Sequence, residues 1–176
     1  MPHIIGLTGG IGSGKSYIAR RMEQDGALVY YSDSAAKRLI ESDPSLRSEI
    51  AALLGDDVFA DGVYQTKIVS SRVFAHPTLL HQLNAIVHPA VLRDIRRWIA
   101  AHADTETLVI ESAILFESGI DALCDEVVCV SAPEEVCIAR VMARDHVTEE
   151  AVRARMARQM PDDERRKRSN RVIINQ

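Results

Sequence analysis

No stretch of this chain approaches the roughly 18 to 20 consecutive apolar residues that a membrane-spanning helix needs, so no membrane association is expected. The N-terminus opens Met-Pro-His with neither a basic n-region nor a small-residue cleavage site, which argues against a secretory leader and for a cytoplasmic protein. Cysteine is scarce. Cys124, Cys129 and Cys137 form no C-x-x-C pair, and the latter two fall in apolar patterns, as expected of buried free thiols in a reducing compartment. No His, Cys or Asp cluster has zinc-site spacing, which leaves Mg²⁺ as the metal to expect. The guanine-nucleotide signatures N-K-x-D and D-x-x-G are both absent, which disfavours a GTPase. The single tryptophan, Trp98, sits in a helical stretch and reads as packing.

What is present suits one soluble domain. The chain has 176 residues, 47% hydrophobic and 26% charged, enough for one core and a small inserted subdomain. The net charge of −4 conceals an asymmetry: residues 140–171 hold ten Arg/Lys against six Asp/Glu, or +4, leaving −8 for the remainder. Such a segment faces nucleic acid, the phosphates of a nucleotide, or solvent through i,i+4 ion pairs.

Short apolar runs at 4–7, 27–30, 108–110, 127–130 and 172–174 are separated by helical patterns, which predicts a parallel α/β sheet buried on both faces. A helix is expected from Ser16, with Ile18 and Met22 on one face. Residues 34–54 read as helical with an interruption near Asp43-Pro44, and 56–62 as turn-rich. Residues 66–102 read as helical with breaks around Pro77 and at Pro89. Ser131-Ala-Pro-Glu134 resembles a capping box, and Thr148 reads as the N-cap of a helix over 149–159. The helical block between the second and third strands exceeds a plain crossover and reads as an insertion.

The sequence Gly9-Gly10-Ile11-Gly12-Ser13-Gly14-Lys15-Ser16 fits G-x-x-x-x-G-K-[ST]. Glycines let backbone N–H groups wrap a phosphate, and the following helix adds its positive dipole end. Lys15 is placed to reach the β- and γ-phosphates, and the Ser16 hydroxyl to ligate Mg²⁺. A chance match at ordinary residue frequencies has a probability of about one in a hundred or less. The motif follows a predicted strand and opens a predicted helix, so ATP with Mg²⁺ is the expected ligand. P-loops serve switches, motors and kinases alike. Asp33, after the second strand, lies where the carboxyl ends of parallel strands line a ligand crevice. It is either a group that orients an attacking hydroxyl or a helix N-cap.

Residues 6–16 with Ser32-Asp33 resemble the opening of the dephospho-coenzyme A kinases. Leu83-Asn-Ala-Ile-Val-His88-Pro89 resembles that family's L-x-x-I-x-H-P segment, and Glu111-Ser-Ala-Ile-Leu115-Phe116-Glu117 its D-x-P-L-L-F-E segment. Arg140-Val-Met-Ala-Arg144-Asp145, residues 155–159 and Val172-Ile-Ile-Asn175 resemble its lid and adenine-side segments. The chain departs from the pattern at Glu111 (Asp in the family), Ala113 (Pro), Arg165 (Lys) and Ser169-Asn170 (Ala-Asp). The family continues with a helix past the strand ending at Asn175, whereas this chain stops at Gln176.

The resemblance implies a three-layer P-loop kinase fold with a five-stranded parallel sheet. It implies a core of about 1–33, 104–139 and 170–176, a helical substrate-binding insertion of about 34–103 and a helical lid of about 140–169. It implies transfer of the γ-phosphoryl of ATP to the ribose 3′-hydroxyl of dephospho-coenzyme A, the last step of coenzyme A biosynthesis. Asp33 then orients or deprotonates that hydroxyl. Arg140 lies over the phosphates with Arg144 one turn on, and residues 10–16 and Asn175 hold ATP. Glu111 either serves Mg²⁺ through water or takes part in a helix cap or ion pair. His88 contacts substrate or is satisfied locally. Leu115, Phe116 and Glu117 shape the acceptor pocket, unless Phe116 is core. A monomer acting without nucleic acid is expected.

Overall fold

The computed structural model describes residues 1–176. In chain order the elements are β1 (His3–Gly9), α1 (Lys15–Gln24), β2 (Leu28–Tyr31), α2 (Ser32–Ser42), α3 (Pro44–Leu54), β3 (Phe59–Ala60), β4 (Val63–Tyr64), α4 (Thr66–Phe74) and α5 (Pro77–Ala101). They continue with β5 (Thr107–Glu111), β6 (Glu126–Ser131), α6 (Glu134–Asp145), α7 (Glu149–Met156), α8 (Asp162–Arg168) and β7 (Arg171–Ile174). They pack as two units, one of residues 1–31 with 102–176 and one of residues 32–101. No helix is long and apolar enough to cross a membrane.

In the first unit five strands form one parallel sheet in the order β2-β5-β1-β6-β7. The register sets Leu7 of β1 beside Glu111 of β5, and Gly9 beside Val130 of β6. Both faces are apolar because both are covered. On one face Ile5, Leu7, Val109, Val128 and Val130 pack with Ala19, Ile18 and Met22 of α1. On the other, Leu108, Ile110 and Cys129 are fully buried, Leu115 and Cys124 lie against Gly6, and α8 lies on β6. The result is a three-layer α/β arrangement. The face of α6 that carries Ile138 and Val141 packs with Val152 of α7 and with Ile11.

The second unit closes its own core from Ile40, Leu46, Ile50, Val58, Tyr64 and Val69. Asp43 starts α3 by accepting the N–H groups of Ser45 and Leu46, with Pro44 in the first turn, a position where its missing N–H costs nothing. β3, within the stretch read as turn, and β4, just past it, form a small antiparallel hairpin, with the Arg47 guanidinium 4.8 Å from the Phe59 ring.

Other expectations need correction. α5 runs unbroken through Pro89. The proline removes one helical donor, but the flanking Leu83, Ala90 and Val91 are buried, and that packing holds the helix through the gap. The capping box at Ser131 does not form. Ser131 ends β6, its hydroxyl donates to Asp162 at 2.7 Å, and Pro133 precedes α6 without a side-chain cap. Thr148 does cap α7 by accepting the Ala151 N–H at 3.2 Å, but the helix stops at Met156.

Candidate active site

The loop between β1 and α1 is shaped by glycines at positions other residues do not tolerate. Gly12 has φ 78° and packs on α6 so closely that a β-carbon there would lie 2.4 Å from the Cys137 carbonyl oxygen. Gly14, φ 90°, precedes α1, whose N-terminus has no side-chain cap and no acidic residue in its first turn. A helix start left in this condition offers unpaired N–H groups and a positive dipole end to an anion. The hydroxyls of Thr8 and Ser13 are buried without a protein partner, which also suits a site completed by ligand.

Lys15, the first residue of α1, forms an ion pair with Glu111 at the end of β5, and the two side chains are only 14% and 6% exposed. A buried carboxylate requires such a cation. Ser16 is exposed beside it in the sequence. An exposed hydroxyl and a carboxylate form a hard oxygen donor set, which fits Mg²⁺ in the form that takes few protein ligands and keeps waters and phosphates.

The carbonyl side of the loop is clamped. Arg140 of α6 donates through Nη1 to the carbonyls of Gly12 and Ser13 at 3.2 and 3.3 Å, and through Nη2 to Asn175 at 3.0 Å. The Asn175 amide donates to the Ser13 carbonyl at 3.0 Å, and its backbone N–H is held by Ser131 at 2.8 Å. Gln159, between α7 and α8, accepts the Ile11 N–H at 2.9 Å. Arg165 of α8 is 2% exposed, donates to the Met160 carbonyl at 2.8 Å and stands against Gly10. A cavity of about 400 Å³ opens between the loop and these helices, lined among others by Gly10, Ile11, Ser13, Gln159 and Arg165.

The loop residues 10–16, Glu111, Arg140 and Asn175 thus meet around one loop. Arg140 is bonded there to backbone carbonyls, where the sequence suggested phosphates. Arg144 is not brought to the loop. It grips Asp145 with two bonds of 2.7 and 3.0 Å, and its hydrogen bond, with that of Arg155, holds the Asp145 carboxyl at about 2. Leu115 is fully buried, so its side chain presents no surface to a ligand. Phe116 is 9% exposed, with the Arg168 guanidinium 4.4 Å from its ring, and Glu117 is exposed. In the helical unit, Asp33 is exposed in the first turn of α2 and His88 is half-buried on α5. Gln159 and Arg165 escaped sequence reasoning. They lie about 150 residues from the loop in sequence, and only the resemblance of the late segment drew attention to them.

The family model described as dephospho-CoA kinase matches residues 3–176. The dephospho-CoA kinase of Bacteroides fragilis is 39% identical over 171 residues, covering 97% of this chain and 83% of that protein. A crystal structure from Thermus thermophilus superposes with a TM-score of 0.86 at 34% identity, over 99% of this chain and 89% of the other. The dephospho-CoA kinase of Campylobacter jejuni shares the fold at a TM-score of 0.68 and 23% identity, over 99% and 89% of the two chains. The five-stranded parallel sheet with its β1–α1 phosphate loop is therefore a P-loop kinase fold, and the chain belongs to the dephospho-CoA kinase family.

Proposed function

We propose that this protein transfers the γ-phosphoryl group of ATP to the ribose 3′-hydroxyl of dephospho-coenzyme A, giving coenzyme A and ADP. The observation that carries this reading is an uncapped, glycine-shaped loop ending in Lys15, in a chain matched by the family from residue 3 to 176. Phosphoryl transfer asks a protein mainly for positioning and charge stabilisation, and the roles divide accordingly. The N–H groups of residues 10–16 that the protein leaves unbonded, which excludes those of Ile11 and Ser13, hold the phosphates, and Lys15 neutralises charge on the β- and γ-oxygens. Ser16, with Glu111 through water, would hold Mg²⁺, which would offset negative charge on the phosphates. Arg140 and Asn175 brace the loop through its carbonyls, and Arg144 assists as the 140–169 segment closes.

Asp33 receives the proton of the acceptor hydroxyl or aims it. Its support is an exposed carboxylate two residues past β2, engaged by no ion pair or hydrogen bond within the chain. The helical insertion, through His88, receives the acceptor, and so do Phe116 and Glu117, with the buried Leu115 behind them as packing. Three unpaired cysteines suit a reducing cytoplasm, and we take the working form to be a monomer that needs no nucleic acid.

The test is ADP release from Mg·ATP with dephospho-coenzyme A, adenosine and AMP offered separately. Turnover with dephospho-coenzyme A alone, yielding a product one phosphoryl group heavier at the ribose 3′ position, is expected. Turnover confined to adenosine or AMP, or none with any acceptor, rejects the proposal.

A further inference from the structure

Arg165 is the most deeply buried charged side chain of the molecule, and its partners inside the protein do not account for it. The guanidinium donates to the Met160 carbonyl at 2.8 Å and faces the Asp162 carboxylate at 3.6 Å. Asp162 is itself 45% exposed and accepts the Ser131 hydroxyl at 2.7 Å. A guanidinium carries five N–H donors, so two acceptors leave donors to spare. The nearest carboxylate stands beyond hydrogen-bond distance. Burying a cation on these terms is unfavourable unless something further matches it.

The phosphate loop lies against the same guanidinium. A β-carbon built on Gly10 would come within 3.2 Å of Arg165 Nη1 and 3.6 Å of Gln159 Oε1, so the glycine is what lets both groups approach the loop. Gly10, Ile11, Ser13 and Arg165 line the same cavity of about 400 Å³. Its other carboxylates do not compete for the guanidinium: Glu134 is bound to Arg153 at 2.6 Å, and Asp163 is exposed.

We infer that Arg165 is a phosphate-contacting residue, offering its spare N–H donors to the terminal phosphate of ATP at the Gly10 end of the loop. The inference rests on the ATP-site reading above and adds to it a cation from α8 that none of the roles given there includes. A planar guanidinium spans two phosphate oxygens where an ammonium makes a point contact.

Binding of Mg·ATP and Mg·ADP is measured for the wild type, Arg165→Met and Arg165→Lys, together with the melting temperature of each nucleotide-free protein. Arg165→Met is expected to melt at or above the wild-type temperature without nucleotide, because an apolar isostere relieves a poorly matched buried charge. It is expected to lose about tenfold or more in ATP affinity and less than about threefold in ADP affinity. Arg165→Lys falls between the two proteins for ATP. Unchanged ATP affinity, or an equal loss for ATP and ADP, overturns the assignment. Should Arg165→Met fail to fold, the same comparison is made on Arg165→Lys, where ATP affinity equal to wild type overturns it. A wild-type protein that binds neither nucleotide would instead overturn the reading of the loop as an ATP site.

Discussion

The Lys15 ammonium and the Glu111 carboxylate are ion-paired, tying the end of the phosphate loop to the end of β5 with both groups largely out of solvent. Each compensates the other's charge. Lys15 is thereby held at the carboxyl end of β5, from which it would meet phosphate, and Glu111 is spared an uncompensated charge in the core.

Lys15→Ala should therefore act twice. Phosphoryl transfer falls by on the order of 10² or more in kcat, and stability falls by about 3 kcal/mol because Glu111 is left charged and unpaired. Adding Glu111→Gln should recover most of the stability and none of the turnover. Urea unfolding and steady-state kinetics on the three variants decide the matter; a double mutant no more stable than Lys15→Ala would show the pairing to be energetically idle.

Asp33→Asn keeps the shape of the side chain and removes its basicity. ATP binding should stay near wild type while transfer to the acceptor drops by about 10² or more. Calorimetric titration with ATP and single-turnover transfer measure the two effects separately. Loss of ATP binding would point to a structural Asp33 instead.

Arg140 holds three backbone carbonyls, so Arg140→Met should cost about 2 kcal/mol of stability, the range for hydrogen bonds from a charged donor. ATP affinity should weaken in step, since the loop and Asn175 lose their common brace. Arg140→Lys, a single compact donor group, should restore part of each. Full stability in a Met variant with impaired turnover would assign Arg140 to chemistry alone.

Stability should fall on the alkaline side. Burial pushes the Cys124 thiol up to about 12, the Cys129 thiol up to about 11 and the Tyr64 phenol up to about 12. All three are raised, so the unfolded chain loses these protons first. Their contribution is complete below the ordinary thiol range near pH 9 and is lost as pH rises towards 11 and 12. The melting temperature should hold from neutral pH to about 8 and decline steadily above about 9. A melting temperature that stays level to pH 11 would contradict the shifts.

Much of the sheet was legible because its strands are buried on both faces, which leaves continuous apolar runs such as 108–110 and 127–130. The phosphate loop was legible because close backbone approach dictates residue type. Local signals failed where tertiary contacts outbid them. Pro89 reads as a break only until the buried Leu83, Ala90 and Val91 are seen on either side. Ser131 and Glu134 have capping-box spacing, but the Ser131 hydroxyl is taken by Asp162. Arg140 was placed near the loop, yet which side of the loop it holds depends on carbonyl directions that no sequence pattern encodes. Gln159 and Arg165 reach the loop from the far end of the chain, and their surroundings carry no periodicity that announces it.

The strand order has a consequence for how the chain is made. β1 is synthesised first but lies at the centre of the sheet, between β5 and β6, so its edges stay unsatisfied until residues 107–131 have left the ribosome. The contiguous helical unit of residues 32–101 has all the partners of its own core in hand before then. Biogenesis should thus run from the middle outward, with the nascent β1 held open as a template while the insertion collapses first.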